Sequence, residues 1–256
     1  MIALHELCKR FAGRTAVDRL SLEIPAGQIV GFLGPNGAGK STTLKMLTGM
    51  LRPTSGTAVI AGHDLLTDPL AVKRSVGFVP ESGALYESLT GLEYLRMVAA
   101  LYGLETGVAD ARIREFIQFF ELTWDTLTDK LLGAYSKGMR RKVVIISSLL
   151  HNPPVILFDE PLDGLDAIAA VGFKALIQTL ARQGRTIGYS SHILDVVERV
   201  CDRVVIINQG VLVLDGAPEA LSAAHGGKPL EEIFTHLTGG DQLRERAEAF
   251  AKTFEA

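Results

Sequence analysis

The sequence predicts an α/β fold with a mostly parallel sheet core, an N-terminal antiparallel β portion and an inserted helical subdomain. Apolar and polar residues alternate through residues 2–33, which is typical of half-buried strands. Later in the chain, helical patterns separate the short apolar runs 155–158, 186–190 and 204–207. Such alternation of strands and helices favours a parallel sheet with helices on its faces. Between residues 82 and 150, by contrast, helical patterns dominate.

Glycine and proline mark the borders of the first elements. A turn at residues 25–27 precedes the apolar run 28–33, which is suited to a buried strand. A helical pattern starts at Lys40 and extends to about Leu51, where the turn-forming segment 52–56 ends it. Two further strands are expected, at 57–61 and 76–79.

Three helical patterns fill the middle of the chain. The first follows Thr90 and Glu93, whose spacing matches a capping box in which each side chain binds the other residue's backbone N–H. The other two cover about 108–121 and 137–150. The second half of the chain then adds helices at about 165–182, from Ile193, and over the extension 218–256.

These elements predict one split domain, residues 1–217, rather than two independent ones. Its core comprises residues 1–81 and 151–217, and the helical subdomain covers about 82–150. Residues 218–256 form a helical C-terminal extension. One face of that extension carries apolar residues at helical spacing, namely Leu230, Ile233, Phe234 and Leu237.

Composition argues against several classes of protein. The 256 residues include 26 Lys and Arg and 29 Asp and Glu, a formal net charge of −3, which gives no overall basic footprint for nucleic acid. Residues 151–154 interrupt the longest apolar stretch, 143–158, so no direct membrane insertion is expected. The N-terminus shows no signal-peptide pattern, and Cys8 and Cys201 are too few for a disulfide framework. We therefore expect a cytoplasmic protein that binds no nucleic acid.

A glycine-rich loop connects the apolar run 28–33 to the helix that begins at Lys40. Its sequence, G-P-N-G-A-G-K-S, matches the phosphate-binding pattern G-x-x-x-x-G-K-S/T in full. The backbone N–H groups of such a loop converge on phosphate oxygens, the lysine reaches the β- and γ-phosphates, and the serine hydroxyl ligates Mg²⁺. The pattern predicts a P-loop NTPase, the alternative being a glycine-rich turn that binds nothing. The expected nucleotide-binding residues are Gly34, Pro35, Asn36, Gly37, Ala38, Gly39, Lys40, Ser41 and Thr42.

Two carboxylates follow the apolar run 155–158. In a parallel sheet the carboxyl end of this strand lies beside the phosphate loop, where Asp159 can ligate Mg²⁺. Glu160 can polarise the water that attacks the γ-phosphate. A solvated acidic turn is the alternative. His192 follows the strand 186–190 at the same end of the sheet and is expected to contact the γ-phosphate, although a surface or capping histidine is common at such a place.

In this order the motifs resemble those of the ATP-binding subunit of an ABC transporter, and the resemblance covers nearly the whole chain. Residues Tyr135–Met139 stand where that family has its signature, LSGGQ in many members, and Asp163–Asp166 resemble its D-loop. Gly77–Glu81 resemble its Q-loop, Phe11 its adenine-stacking aromatic and His192 its switch histidine. The resemblance implies ATP and Mg²⁺ as the cofactors, with Lys40, Glu160 and His192 in the catalytic set.

The resemblance also implies roles for residues outside the phosphate loop. Ser136 and Gly138 would bind the γ-phosphate of an ATP held by the opposite subunit, since a helix N-terminus offers a hydroxyl and free N–H groups to an anion. Asp166 would contribute to the same nucleotide site, and Glu81 would contact Mg²⁺ along with Ser41. Each chain would then contain half of each ATP site.

Some positions depart from the family pattern. Glu81 stands where Gln is usual, so its contact to Mg²⁺ would be a charged carboxylate, and Lys137 and Met139 replace Gly and Gln in the signature. These variants resemble an exporter-type subclass whose membrane subunit is a separate chain. Phe11 offers a stacking face without a hydroxyl, and a core aromatic at a strand end is the alternative. Residues 140–142 are expected to form a solvated helix turn.

The resemblance implies a transport motor with two kinds of partner. One is a second ATP-binding subunit, either another copy or a paralogue. The other is a polytopic membrane permease. The loop 82–89, with Leu85 and Tyr86, resembles the face that receives the permease's cytoplasmic helix, the alternative being ordinary packing. Such a complex would hold the chain on the cytoplasmic face of the cell membrane and drive export. A soluble ATPase of this family, for example in iron–sulfur assembly, is the alternative. A non-hydrolysing nucleotide sensor is a third reading, against which the intact catalytic set argues.

Overall fold

The computed structural model describes residues 1–240 together with residues 246, 247, 250 and 254. The described strands are β1 (Ile2–Phe11), β2 (Arg14–Ile24), β3 (Ile29–Leu33), β4 (Ser55–Ile60), β5 (His63–Asp64), β6 (Val76–Val79), β7 (Val155–Asp159), β8 (Thr186–Ser190), β9 (Arg203–Asn208) and β10 (Val211–Gly216). The described helices are α1 (Lys40–Leu47), α2 (Pro69–Ser75), α3 (Gly91–Leu101), α4 (Thr106–Phe119), α5 (Trp124–Asp129), α6 (Lys137–Leu149), α7 (Ala167–Arg182), α8 (Leu194–Val200), α9 (Pro218–Ala224) and α10 (Leu230–Thr238). A short 3₁₀ turn, Leu132–Ala134, precedes α6.

The strands form two sheets. The larger has the order β10-β9-β3-β8-β7-β6, in which all neighbours are parallel except the antiparallel pair β9 and β10. The smaller sheet has the order β2-β1-β4-β5 and is antiparallel throughout. The predicted α/β fold with its antiparallel N-terminal portion is therefore confirmed.

The two faces of the larger sheet pack against different layers. Because side chains alternate along a strand, Val155 and Leu157 of β7 pack with α1 and the antiparallel sheet. Ile156 and Phe158 point the other way, into a core built with helices α6, α7 and α8 and with the helices of the middle region. The strands between these layers are buried on both faces, which explains their nearly continuous apolar sequences.

The middle region follows the predicted pattern closely. At the start of α3 the Thr90 hydroxyl accepts a hydrogen bond from the backbone N–H of Glu93 at 3.2 Å, and the Glu93 carboxylate accepts one from the N–H of Thr90 at 2.8 Å. This reciprocal pair is the predicted capping box. The predicted helices at 108–121 and 137–150 correspond to α4 and α6 within two residues at each end.

Some boundaries differ from the prediction. Helix α1 ends at Leu47 rather than near Leu51, because Gly49 adopts a left-handed φ of 67° that terminates the helix. Strands β5 and β10 and helices α2 and α5 were not predicted. The C-terminal extension contains α9 and α10, with Leu230 and Ile233 buried. From residue 241 onwards the predicted extension lies largely outside the described residues. None of the helices in the described part of the chain is both long enough and apolar enough to cross a membrane.

Candidate nucleotide-binding site

The phosphate loop lies between the end of β3 and the start of α1, and its path requires glycine at both ends. A Cβ atom at Gly34 would lie 2.2 Å from the carbonyl oxygen of Ile207, and one at Gly39 would lie 2.4 Å from that of Ala16. Gly39 also has a φ of 111°, which L side chains rarely adopt. The two glycines therefore let the loop pass close to neighbouring strands before it enters α1.

Lys40 is nearly buried in the first turn of α1. Its ammonium group donates hydrogen bonds to the carbonyl oxygens of Gly34, at 2.5 Å, and of Pro35, at 3.2 Å. Burial lowers the pKa of Lys40, while nearby carboxylates, led by that of Glu160, oppose the shift. The cation is thus bound to the loop itself and electrostatically linked to the acidic side of the site.

A cavity of about 340 Å³ opens beside the loop. It is lined by residues 36–42 and by Glu81, Asp159, Glu160 and Ser190. Strands β3, β8 and β7 are parallel neighbours, so their carboxyl ends meet at this edge of the sheet. The topology therefore brings together the glycine-rich loop, both predicted carboxylates and the predicted Q-loop acid.

Two buried oxygens at the end of the sheet have no hydrogen-bond partner. The Asp159 side chain is 1% exposed, and its Oδ1 atom is unpaired among the described residues. Ser190, the residue paired with Asp159 across β7 and β8, is fully buried with its Oγ atom likewise unpaired. Because buried polar atoms normally have partners, these two indicate a place for a bound ion, water or ligand. Ser190 was not predicted as a site residue.

Glu160 and His192 contact each other at the rim of the cavity. The His192 Nδ1 atom lies 2.9 Å from Oε2 of Glu160. Glu160 has a left-handed φ of 50°, and its backbone N–H donates to the carbonyl oxygen of Ser190 at 3.1 Å. Non-glycine residues hold such a conformation only where surrounding contacts determine it. The strained turn directs the Glu160 side chain towards His192.

Several predicted contact residues do not line this cavity. Ser136 caps α6, accepting a hydrogen bond from the backbone N–H of Met139 at 3.2 Å. Asp166 caps α7 in the same way through the N–H of Ala169 at 2.8 Å. Phe11 is 46% exposed at the end of β1. These residues and Gly138 are therefore outside the phosphate-loop cavity of their own chain.

A family model described as ABC transporter matches residues 17–163. The chain belongs to the ABC transporter family. The matched segment runs from β2 through the phosphate loop, the signature helix α6 and the carboxylates after β7. Residues 1–16, with Phe11, and residues 164–256, with β8 and His192, lie outside the matched range.

Two ABC relatives resemble the chain over nearly its whole length. The ABC transporter ATP-binding protein NatA of Bacillus subtilis is 39% identical over 91% of this chain and 96% of the relative. The Nod factor export ATP-binding protein I of Burkholderia lata is 34% identical over 96% of this chain and 80% of the relative.

Solved ABC structures agree with this assignment. A structure of an ATP-binding subunit of an ABC transporter superposes with a TM-score of 0.87 and 31% identity, covering 93% of this chain and 99% of the other. A dimeric ATP-binding cassette in a post-hydrolysis state, bound to ADP and phosphate, gives a TM-score of 0.78 at 25% identity, covering 85% and 98%. The chain is therefore an ABC subunit that binds and hydrolyses ATP as a transport motor.

A second cavity, of about 500 Å³, adjoins the phosphate-loop cavity and shares Glu81 with it. Its walls include residues 82–85 of the loop after β6, Tyr135 and Lys137 at the signature, and Asp163 of the D-loop. Lys137 and Asp163, both in its lining, form an ion pair of 2.8 Å. This cavity therefore connects the Q-loop, the signature and the D-loop.

The expectation of a solvated turn at residues 140–142 is wrong. Arg141 is buried, and its guanidinium donates to backbone carbonyl groups of the Q-loop and of the segment after β7. Burial lowers the pKa of Arg141, against the attraction of nearby carboxylates led by that of Asp163. Arg140 bonds the carboxylate of Glu87, and Lys142 bonds the carbonyl oxygen of Phe120. These three basic side chains therefore make tertiary contacts with distant segments of the chain, which no local sequence pattern predicts.

Proposed function

We propose that the side chains around the phosphate-loop cavity carry out ATP hydrolysis and that a second copy of the chain completes each site. The observation that carries the proposal is the convergence of Lys40, Asp159 and Glu160 on one cavity, with His192 against Glu160. Phosphoryl transfer needs mainly positioning and charge stabilisation, and this is the arrangement that supplies both.

The oxygen atoms of the cavity suit a magnesium ion. Asp159 Oδ1 is a buried carboxylate oxygen without a partner in the described part of the chain, and Ser41 adds a hydroxyl to the lining. Hard oxygen ligands of this kind are those that Mg²⁺ prefers. Asp159 and Ser41 would hold the ion, with Glu81 at the edge of the same cavity. Bound Mg²⁺ would neutralise charge on the β- and γ-phosphates.

Glu160, Lys40 and His192 each have a separate role in the hydrolytic step. The oxygen of a water molecule forms a bond to the γ-phosphorus as the bond from that phosphorus to the β–γ bridging oxygen breaks. Glu160 accepts the proton that the water loses. Lys40 stabilises the negative charge on the β- and γ-phosphates, and His192 contacts the γ-phosphate while it orients the Glu160 carboxylate.

The second copy supplies what one cavity lacks. Ser136 and Gly138 lie at the N-terminus of α6, outside the cavity of their own chain, where a hydroxyl and free N–H groups face outwards. In a head-to-tail dimer these groups meet the γ-phosphate bound to the partner's phosphate loop, with Asp166 of the D-loop nearby. Phe11, exposed at the end of β1, offers a stacking surface for adenine.

The transport partner is a separate polytopic membrane permease, which this chain binds on the cytoplasmic face of the membrane. The cavity next to the ATP site is the proposed place of contact, with Leu85 in its wall and Tyr86 64% exposed in the same loop. Glu81 belongs to both cavities, so a permease segment seated there would sense the ATP site directly. Export is the proposed direction, supported by the likeness to a Nod factor export protein.

Replacement of the proposed base tests this assignment. Glu160→Gln keeps the shape of the side chain but cannot accept a proton. We expect ATP affinity within about threefold of wild type, kcat lower by roughly 100-fold or more, and an ATP-bound dimer on gel filtration. Glu198→Gln, an exposed acid on α8, is the matched control. Wild-type turnover by Glu160→Gln would remove Glu160 from this role.

A further inference from the structure

Arg141 is a buried cation whose described hydrogen bonds go to backbone carbonyl groups. Only 4% of its surface is exposed, and none of the ion pairs in the described part of the chain includes it. A buried charge is costly unless hydrogen bonds compensate for its lost hydration. Here the hydrogen bonds within the described part of the chain go to backbone carbonyl groups, and nearby carboxylates, led by that of Asp163, add electrostatic attraction.

These carbonyl groups belong to two segments of the ATP site. The guanidinium donates to the carbonyl oxygens of Pro80 at 2.6 Å, Asp159 at 3.0 Å, Pro161 at 3.1 Å, and Glu160. Pro80 immediately precedes Glu81, and the others form the segment that carries both carboxylates after β7. The two segments leave β6 and β7 side by side, since Val79 pairs with Phe158. The Arg141 side chain thus bridges the segment that precedes Glu81 and the segment that carries Asp159 and Glu160.

The helix that carries Arg141 also carries the signature. Arg141 lies in the second turn of α6, whose N-cap is Ser136. At the same end of the helix, Lys137 pairs with Asp163 at 2.8 Å, and a Cβ at Gly138 would lie 2.8 Å from the carbonyl oxygen of Gly164. Because the signature and Arg141 share α6, a rigid-body displacement of this helix would displace both.

We infer that Arg141 is a positioning residue that couples the location of the signature helix to the alignment of Glu160. Glu160 holds a left-handed φ of 50° that the surrounding contacts must maintain, and its own carbonyl oxygen is one of those bound by Arg141. When α6 is correctly placed, the Arg141 fork fixes this turn and points the Glu160 carboxylate at the attacking water. The inference rests on the proposed role of Glu160 as base.

Arg141→Lys separates positioning from charge. Lysine keeps the cation, but its single ammonium cannot reproduce the planar fork that reaches both segments. In the transporter complex with its permease, we expect ATP affinity within about threefold of wild type and kcat lower by roughly 10- to 100-fold, the scale on which misalignment of reacting groups acts. Arg112→Lys is the matched control, because Arg112 also donates to a carbonyl group, that of Leu150, away from the cavity.

Thermal melting of the same preparations makes each outcome decisive. A melting temperature close to wild type with reduced kcat supports the inference. Wild-type kcat in Arg141→Lys overturns it. Failure to fold also overturns it, and so does a joint loss of stability and ATP affinity with unchanged kcat per folded dimer. Both of these results would assign Arg141 a structural role. Glu160→Gln measured alongside distinguishes the two proposals, because retained turnover there defeats the role of Glu160 instead.

Discussion

The Nδ1 atom of His192 lies 2.9 Å from Oε2 of Glu160, joining the ends of β8 and β7 at the rim of the phosphate-loop cavity. His192 is largely exposed and Glu160 largely buried, so the histidine approaches the acid from the solvent side. A dimer partner or a γ-phosphate that approaches from solvent would contact His192 before it contacts Glu160. The contact therefore connects the surface of the ABC subunit to the carboxylate that we assign as base.

Loss of this histidine should slow hydrolysis without abolishing ATP binding. In His192→Ala the Glu160 carboxylate loses its neighbour and the γ-phosphate loses a contact, so kcat should fall by roughly 100-fold. Steady-state ATPase assays with a parallel nucleotide-binding titration measure the two effects. His63→Ala is the matched control, since His63 faces Asp68 at 3.4 Å in a pair far from the cavity lining. Equal kcat for the two variants would contradict the assignment.

Gly77 is required for the packing of β6 against α6. A Cβ atom there would lie 2.2 Å from the carbonyl oxygen of Ser148 and 2.8 Å from Cγ of Pro153. Gly77→Ala should therefore lower the free energy of unfolding by about 1–3 kcal/mol, as overpacking does, in urea denaturation. Gly107→Ala, with nothing within 4 Å of its Cβ position in α4, should instead be neutral or stabilising by up to about 1 kcal/mol. Unfolding midpoints in the reverse order would refute this account of β6.

His151 should make the protein less stable in mild acid. Burial, assisted by the charge of Arg112, lowers the pKa of His151 from 6.5 to about 4, although a hydrogen bond to the carbonyl oxygen of Val76 opposes the shift. Since the folded pKa lies below the unfolded one, the unfolded chain binds more protons between these values. Stability is therefore lost as the pH falls from about 6.5 towards about 4.

Urea titrations across this pH range test the effect of His151. His151→Phe preserves an aromatic ring to stack on Tyr102, whose ring centroid lies 3.7 Å away, but cannot be protonated. Its free energy of unfolding should fall less steeply with decreasing pH than that of wild type. The exposed His5→Gln is the control and should follow wild type. Parallel curves for His151→Phe and wild type would exclude this source of acid sensitivity.

The convergence of residues at the phosphate-loop cavity was predictable where a motif encodes backbone geometry. The glycines of the phosphate loop and the two acids after an apolar strand are local features, and the parallel topology brings them together. Arg141 could not be found in this way, because its burial depends on carbonyl groups about 20 and 60 positions away in sequence. The role of Ser190 depends similarly on its pairing with Asp159 across two strands.

The missed strand β10 did have a local signal. Gln209 and Gly210 both have positive φ, at 49° and 82°, and they join β9 to β10 as a two-residue hairpin turn. The apolar run after that turn is consistent with an edge strand. Helices α2 and α5 are only seven and six residues long, too short to give a distinct helical period.

We propose that each ATP site combines the phosphate loop of one chain with the signature of the other. Lys40→Ala disables the first half, and Ser136→Glu disables the second by placing a negative charge opposite the γ-phosphate. Glutamate at the start of α6 is compatible with the helix dipole, so the fold should persist. Each variant alone should be inactive, because both sites of a homodimer then contain a defect.

Mixing the two variants in equal amounts is the most direct test. Half of the dimers should pair unlike chains, and each of these contains one site with both halves intact. We expect the mixture to recover about a quarter of the wild-type ATPase rate if the sites act independently in a symmetric dimer. A mixture no more active than the average of the separate variants would show that each chain contains its own complete site, and would contradict the account.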